Sequence, residues 1–165
     1  DKAIKYMTGK CLRVYEKDKN NPSKLLRYLT RDGKFSYYED VSGQDVHYRL
    51  DTQLYVLIGL YDWKMIDADN SSKKLAENSF NEGVSMLSRT LALYDLNGYL
   101  AGDLMHISDR KLVGLDVDDK FMKTIQMLRA VSEISGDKEI KNLYERYSSF
   151  TKDKFYKQND KLIHK

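Results

Sequence analysis

Leu54-Tyr55-Val56-Leu57-Ile58-Gly59-Leu60-Tyr61-Asp62-Trp63-Lys64-Met65-Ile66 is apolar on nearly every side when wound as a helix. A helix without a polar face belongs at the centre of its domain, because none of its sides can be left to water. The helical pattern opens near Asp45 and closes at Ile66. Gly59, inside it, predicts the close approach of a neighbouring element.

Working outward, Asp67-Ala68-Asp69-Asn70-Ser71-Ser72 reads as a connection with several N-cap candidates. A second long helix follows to about Leu93, with Leu75, Phe80, Val84, Leu87 and Leu91 as its stripe and Lys73, Lys74, Glu77, Glu82 and Arg89 as its wet face. Further on, Phe121, Ile125, Leu128, Val131 and Ile134 mark a helix that begins at Asp116 or Asp118. Gly136 suits a C′ position and Asp137 an N-cap, so one helix stops and the next starts there. Ile140, Leu143, Tyr144, Tyr147 and Phe150 form the last stripe.

Upstream, Ile4, Met7, Cys11 and Val14 predict a helix over residues 2–17. Asn21-Pro22 has the signature of a helix start, followed by Leu25, Leu26 and Leu29 on a core face. Residues 31–45 read as an ordered loop containing an extended pair. Its Tyr37, Tyr38 and Glu39 either line a cleft or pin the loop to the core. The expected architecture is all-α: five to six helices in antiparallel hairpins, with longer loops at 31–45 and 94–115. Residues 1–150 form one helical domain, and 151–165 are a lysine-rich C-terminal tail.

Composition narrows the function. A net charge of +3 over 165 residues falls short of the clustered basic signature of a nucleic-acid binder, so no nucleic-acid partner is expected. No apolar run reaches membrane-span length. The single cysteine, Cys11, excludes an internal disulfide and reads as a core residue; cytoplasm and secretion both remain open. The chain opens on Asp1, so a trimmed N-terminus is expected. No phosphate loop is present, and His47, His106 and His164 are too far apart for a structural zinc pattern. Asp116, Asp118 and Asp119 lack the glycine and glutamate of a calcium loop and read as caps. No metal and no cofactor are expected. The chain carries 13 tyrosines against 5 phenylalanines. A flat ring with a polar tip suits both sugar grooves and helix seams near water.

Leu93-Tyr94-Asp95-Leu96-Asn97-Gly98-Tyr99-Leu100-Ala101-Gly102-Asp103-Leu104-Met105-His106 interrupts the helical pattern with permissive glycines beside groups able to move protons. It reads either as a site held by helices or as a helix-to-helix turn.

From Leu54 to Phe150, several blocks resemble the C-terminal helical domain of D-glucuronyl C5-epimerases. They are Leu54–Trp63, Phe80-Asn81-Glu82-Gly83-Val84, Leu93-Tyr94-Asp95, Glu133-Ile134-Ser135-Gly136-Asp137 and Tyr144-Glu145-Arg146-Tyr147. The resemblance implies part of an (α/α) toroid that acts on or binds an acidic polysaccharide of the heparosan type, with or without catalysis. Another domain of a longer chain is admitted as a partner. The family segment of the form Gly-x-x-x-Tyr-Asp-Leu-Arg-His falls on this stretch, with Asp103, Leu104 and His106 matching; Gly102 and Met105 stand where the family has tyrosine and arginine. Where the family carries Tyr-His-x-x-His, this chain has Lys120, Phe121 and Thr124.

C5 of a uronate lies α to a carboxylate, so its proton is weakly acidic. Inversion needs one group to take the proton from one face, another to return it on the opposite face, and a cation for the carboxylate. The candidates here are Asp103, His106, Tyr99, Tyr38 and Glu39 for proton transfer, and Tyr37, His47, Tyr48, Arg49 and Arg110 for substrate contact. Such a site requires residues 31–45 and 94–115 to meet in space. The alternative to an isomerase or lectin-like domain is a non-enzymatic helical interaction module, whose tyrosines are interface residues.

Overall fold

The computed structural model describes residues 2–9, 11–15, 29, 35–39, 47–66, 69–97, 100–108 and 119–149. Among them are six helices and one short β-ribbon. In order they are α1 (Lys2–Gly9), β1 (Leu12–Tyr15), β2 (Phe35–Tyr38), α2 (Leu50–Met65), α3 (Asn70–Tyr94), α4 (Met105–Ser108), α5 (Asp119–Ser135) and α6 (Lys138–Ser148). Of the short helix expected from Asn21, only Leu29 is described, helical and buried. The expected tail, Phe150, and the start at Asp116 or Asp118 lie outside the described residues.

The fold is mostly helical, and α2 is its centre. It packs on α3, α5, α1 and β2, and Leu50, Leu54, Leu57 and Leu60 are fully buried. Each such leucine contributes about 1.5–3 kcal/mol of transfer free energy. Its outer side is left to Tyr55, 60% exposed. Two hairpins, α2–α3 and α5–α6, supply the packed pairs, with α2 on α5 and α3 on α6 joining them.

The helix ends follow local chemistry. The Asp69 carboxylate accepts the Ser72 N–H at 2.9 Å and caps α3. The Asp137 carboxylate accepts the Ile140 N–H at 3.0 Å and caps α6. Gly136 has φ +68°, the left-handed conformation that ends α5. All three agree with the signals in the sequence.

Three expectations need correction. The first helix does not reach residue 17. It ends at Gly9, and Leu12–Tyr15 runs antiparallel to Phe35–Tyr38, with Leu12 opposite Tyr38 and Tyr15 opposite Phe35. Val14 and Tyr15 are strand formers, and the distant partner decides in favour of a ladder. Cys11 is accordingly partly exposed rather than core. On α3, Leu75 faces water, and the core line runs Ala76, Phe80, Gly83, Leu87, Leu91 and Tyr94. Small residues win there because α2 comes close. A Cβ on Gly83 would lie 2.6 Å from Leu57 Cδ2 and 3.3 Å from Tyr38 Cε2. The third correction follows: Gly83 permits the close approach, whereas a Cβ on Gly59 would meet only Met7, at 3.8 Å.

Candidate functional site

The β2 strand is covered on both faces. Phe35 and Tyr37 point one way and Tyr38 the other, yet all three are buried. Tyr38 lies on the α3 side, its hydroxyl 3.5 Å from the Ser79 carbonyl and its N–H donating to Gln53 Oε1 at 3.0 Å. Gln53 Nε2 donates in turn to the Gly83 carbonyl at 3.3 Å. This buried amide therefore joins β2, α2 and α3, with its polar atoms satisfied. On the opposite face, the rings of Phe35, Tyr37 and Tyr48 cluster with centroids 5.7–6.1 Å apart.

Tyr48 is the strained residue of this cluster, with φ +53°. A bulky side chain there costs on the order of 1–3 kcal/mol and persists only when its surroundings over-determine it. They do. The Tyr48 N–H donates to Glu39 Oε1 at 3.0 Å, and its carbonyl accepts the Tyr94 hydroxyl at 2.5 Å. The Tyr37 and Tyr94 hydroxyls lie 2.5 Å apart, and Tyr37 also reaches the Arg49 carbonyl at 3.2 Å. The Tyr48 N–H and carbonyl are thus both bound by side chains, from Glu39 directly after β2 and from Tyr94 at the end of α3.

This knot sets the course of residues 47–49, and the interrupted stretch lies against them. The Leu50 N–H donates to the Gly102 carbonyl at 3.0 Å, and the Leu104 N–H to the His47 carbonyl at 3.1 Å. His47 and Arg49 are thereby brought beside the segment carrying Asp103 and His106. Asp103 is buried and caps the short α4, Oδ1 accepting the Met105 N–H at 3.0 Å. His106 Nδ1 lies 3.1 Å from the Asp103 carbonyl. The tautomer carrying its hydrogen on Nδ1 donates there and leaves Nε2 as a free acceptor. Arg49 makes a two-point pair with Asp51, at 3.1 and 2.7 Å, and remains about one-third exposed.

Of the residues singled out from the sequence, His47, Arg49, Asp103 and His106 come together at this junction, and all but Asp103 reach the surface in part. Tyr37, Glu39 and Tyr48 are buried next to it, and Tyr38 is buried on the other face of β2, against α3. Tyr99 and Arg110 lie outside the described residues. Burial pushes the Tyr37 phenol well above its ordinary range, against the lowering effect of the Tyr94 hydrogen bond; the charges of Glu39, Asp51 and Asp103 add to the rise. Tyr94 is raised too, first by burial and then by Tyr37 and the same carboxylates Glu39 and Asp103. Tyr38 is pushed up to about 12, chiefly by burial. Burial thus favours the protonated form of all three phenols, which suits them to donate hydrogen bonds. Among the described residues, no three of His, Cys, Asp and Glu converge to hold a metal ion.

Sequence reasoning missed Gln53 and Asp51. A lone amide inside an otherwise apolar helix was a signal that it must find buried partners. Asp51 gave none, because its role depends on the turn that brings Arg49 beside it.

A small mostly helical domain of packed hairpins, with a loop junction rich in tyrosine, histidine and carboxylate, defines the class. The sequence model of the D-glucuronyl C5-epimerase C-terminus matches residues 15–149. The chain belongs to that family. The match starts well before Leu54 and takes in β2, with only the last residue of β1. No curated protein matches the chain.

Phe121 and Thr124 on α5 are fully buried, and the Phe121 ring meets Tyr147 edge-on at 6.5 Å. Gly102 contributes its carbonyl to the clamp on Leu50.

Proposed function

We propose that this domain acts on a uronate-containing polysaccharide by proton exchange at C5, at the junction of residues 47–51 and 102–106. The observation that supports the reading is the backbone clamp between these segments. It runs the backbone next to Arg49 alongside the backbone of the segment that carries Asp103 and His106. Family membership supplies the substrate class.

In this reading Arg49 receives the substrate carboxylate, sharing it with Asp51, so charge developing on the α-carbanion is held by a guanidinium. His106 takes the C5 proton through Nε2. The proton returned to the opposite face comes from the Tyr99 phenol, Asp103 holds His106 in place through its backbone carbonyl, and His47 contacts the sugar. The bond broken is C5–H, the bond formed is C5–H on the other face, and no redox change is needed. Tyr37, Tyr38, Glu39 and Tyr48 serve as the rigid bed, and Arg110 as a further contact for the polymer. The helical hairpins then correspond to part of an (α/α) toroid.

The test is incubation with heparosan and with alginate-type uronans in deuterated water. Label at C5 is expected, and Arg49→Gln and His106→Ala should each abolish it. Absence of label in every substrate overturns the reading. The interaction-module alternative draws on a separate observation: Met65, Ile66 and Leu75 are exposed near the α2–α3 turn. It predicts that acidic substitutions there abolish partner capture while leaving the His106 region unchanged.

A further inference from the structure

The segment that carries Asp103 and His106 is tied at its start to the far helix α6. Asp95, directly after α3, accepts the Tyr147 hydroxyl on Oδ1 at 2.7 Å and an ion pair from Arg146 on Oδ2. The second guanidinium nitrogen of Arg146 donates to Asn97 Oδ1 at 2.9 Å. Asp95 Oδ1 also accepts the Asn97 N–H at 3.0 Å, which closes a turn in which Asn97 holds φ +56°. One carboxylate and one guanidinium thus define the turn, and two adjacent residues of α6 hold both. Residues 100–104 are held by backbone contacts and burial. Asp95 bridges Leu100, the Ala101 N–H donates to the Tyr94 carbonyl at 2.9 Å, and Leu100, Ala101 and Leu104 are fully buried. A displacement at Asp95 is passed through the Asp95–Leu100 bridge to the buried residues that lead to Asp103.

We propose that Asp95, Arg146 and Tyr147 are positioning residues that set the placement of Asp103 and His106. Arg146 is well suited to the part. Its guanidinium lies 5.7 Å from the Tyr147 ring centroid, so a face and two edges of the fork are engaged at once. It also stands at the edge of a groove of about 220 Å³ between α3 and α6, lined by Ser88, Leu91, Glu139 and Asn142. The guanidinium is therefore reached by solvent, and a fork of fixed geometry does what a buried contact does elsewhere. Lysine keeps the charge but cannot serve Asp95 and Asn97 together.

The role rests on the C5-exchange reading, and the test separates the two. Hydrogen exchange of the amides of residues 100–106 and of Leu50 is measured in the full chain and in Arg146→Gln, Arg146→Lys and Tyr147→Phe. Arg146→Gln should raise exchange at Leu104 and Met105 at least several-fold, with α2 and α5 amides unchanged. Arg146→Lys should fail to restore protection, and Tyr147→Phe should produce an intermediate effect. Where C5 label is observed, Arg146→Gln should lower kcat roughly ten- to a hundred-fold with little change in KM, since small misplacement of reacting groups has effects of that size. Unchanged protection at 100–106 in Arg146→Gln overturns the proposal. So does a uniform rise over the whole chain, which marks global loosening. So does full recovery in Arg146→Lys, which assigns the effect to charge alone. An intact chain that labels no uronan refutes the proposed reaction, and the exchange measurement still decides the positioning role.

Discussion

The connection from α3 into α4 is held at its root and at its turn by two very different kinds of contact. At the root, Tyr94 is fully buried and its hydroxyl meets Tyr37 and the Tyr48 carbonyl. At the turn, Asp95 and Arg146 keep side-chain exposures of 18% and 42%. The dry contact has no water to replace a lost partner, so its removal leaves orphaned polar groups. The wet contact loses little free energy when broken, because water takes over. Stability and position are therefore assigned to different ends of one short segment.

The largest way to break that contrast is Tyr94→Ala. It removes a buried ring and two hydroxyl contacts, and should destabilise by about 3–5 kcal/mol, read by denaturant unfolding. Tyr94→Phe keeps the ring and should cost about 1–3 kcal/mol, since the Tyr48 carbonyl and the Tyr37 hydroxyl each lose a buried partner. The double variant with Tyr37→Phe should fall short of the sum of the singles by roughly 0.5–3 kcal/mol, the signature of directly coupled groups.

Raising the pH attacks the same knot without mutation. The folded state holds the phenol protons more tightly than the unfolded state does. Their contribution is complete below the ordinary tyrosine value of 10.0 and is lost as pH rises; for Tyr38 the window runs from there to about 12. Phenolate absorbance should show the buried tyrosines ionising together with loss of helicity. If Tyr37 and Tyr94 ionise early with the helices intact, the knot is not closed to water. The smallest effect on stability belongs to Arg146→Gln, below about 1 kcal/mol in unfolding. A cost as large as that of Tyr94→Phe would erase the distinction between the two ends.

Much of the helical frame was legible from residues a few places apart. The stop at Gly136 and the caps by Asp69 and Asp137 use bonds spanning one turn of chain, so local sequence suffices. The central helix was legible for a similar reason: an unbroken apolar surface has nowhere else to go. Leu12–Tyr15 was misread because Ile4, Met7, Cys11 and Val14 satisfy a helical spacing, while the pairing that overrides it comes from Phe35–Tyr38. The register of α3 differs from the sequence pattern at Leu75 because hydrophobicity alone does not reveal that α2 comes close at Gly83.

The candidate site divides in the same way. Asp103 and His106 stood out by residue type and by family position, and Tyr37, Tyr38 and Glu39 by composition. That Tyr37 and Tyr94 are buried against each other, that Tyr48 is held at positive φ, and that residues 47–50 run beside 102–104 depend on contacts between residues tens of positions apart in the chain. Sequence by itself determined the helices, their caps, the central place of α2 and the family. Tertiary structure alone decided which glycine admits a neighbour, which tyrosines are donors and which segments meet. Propensity and capping act over one turn of chain, whereas desolvation and buried hydrogen bonding are set by whatever the fold brings alongside.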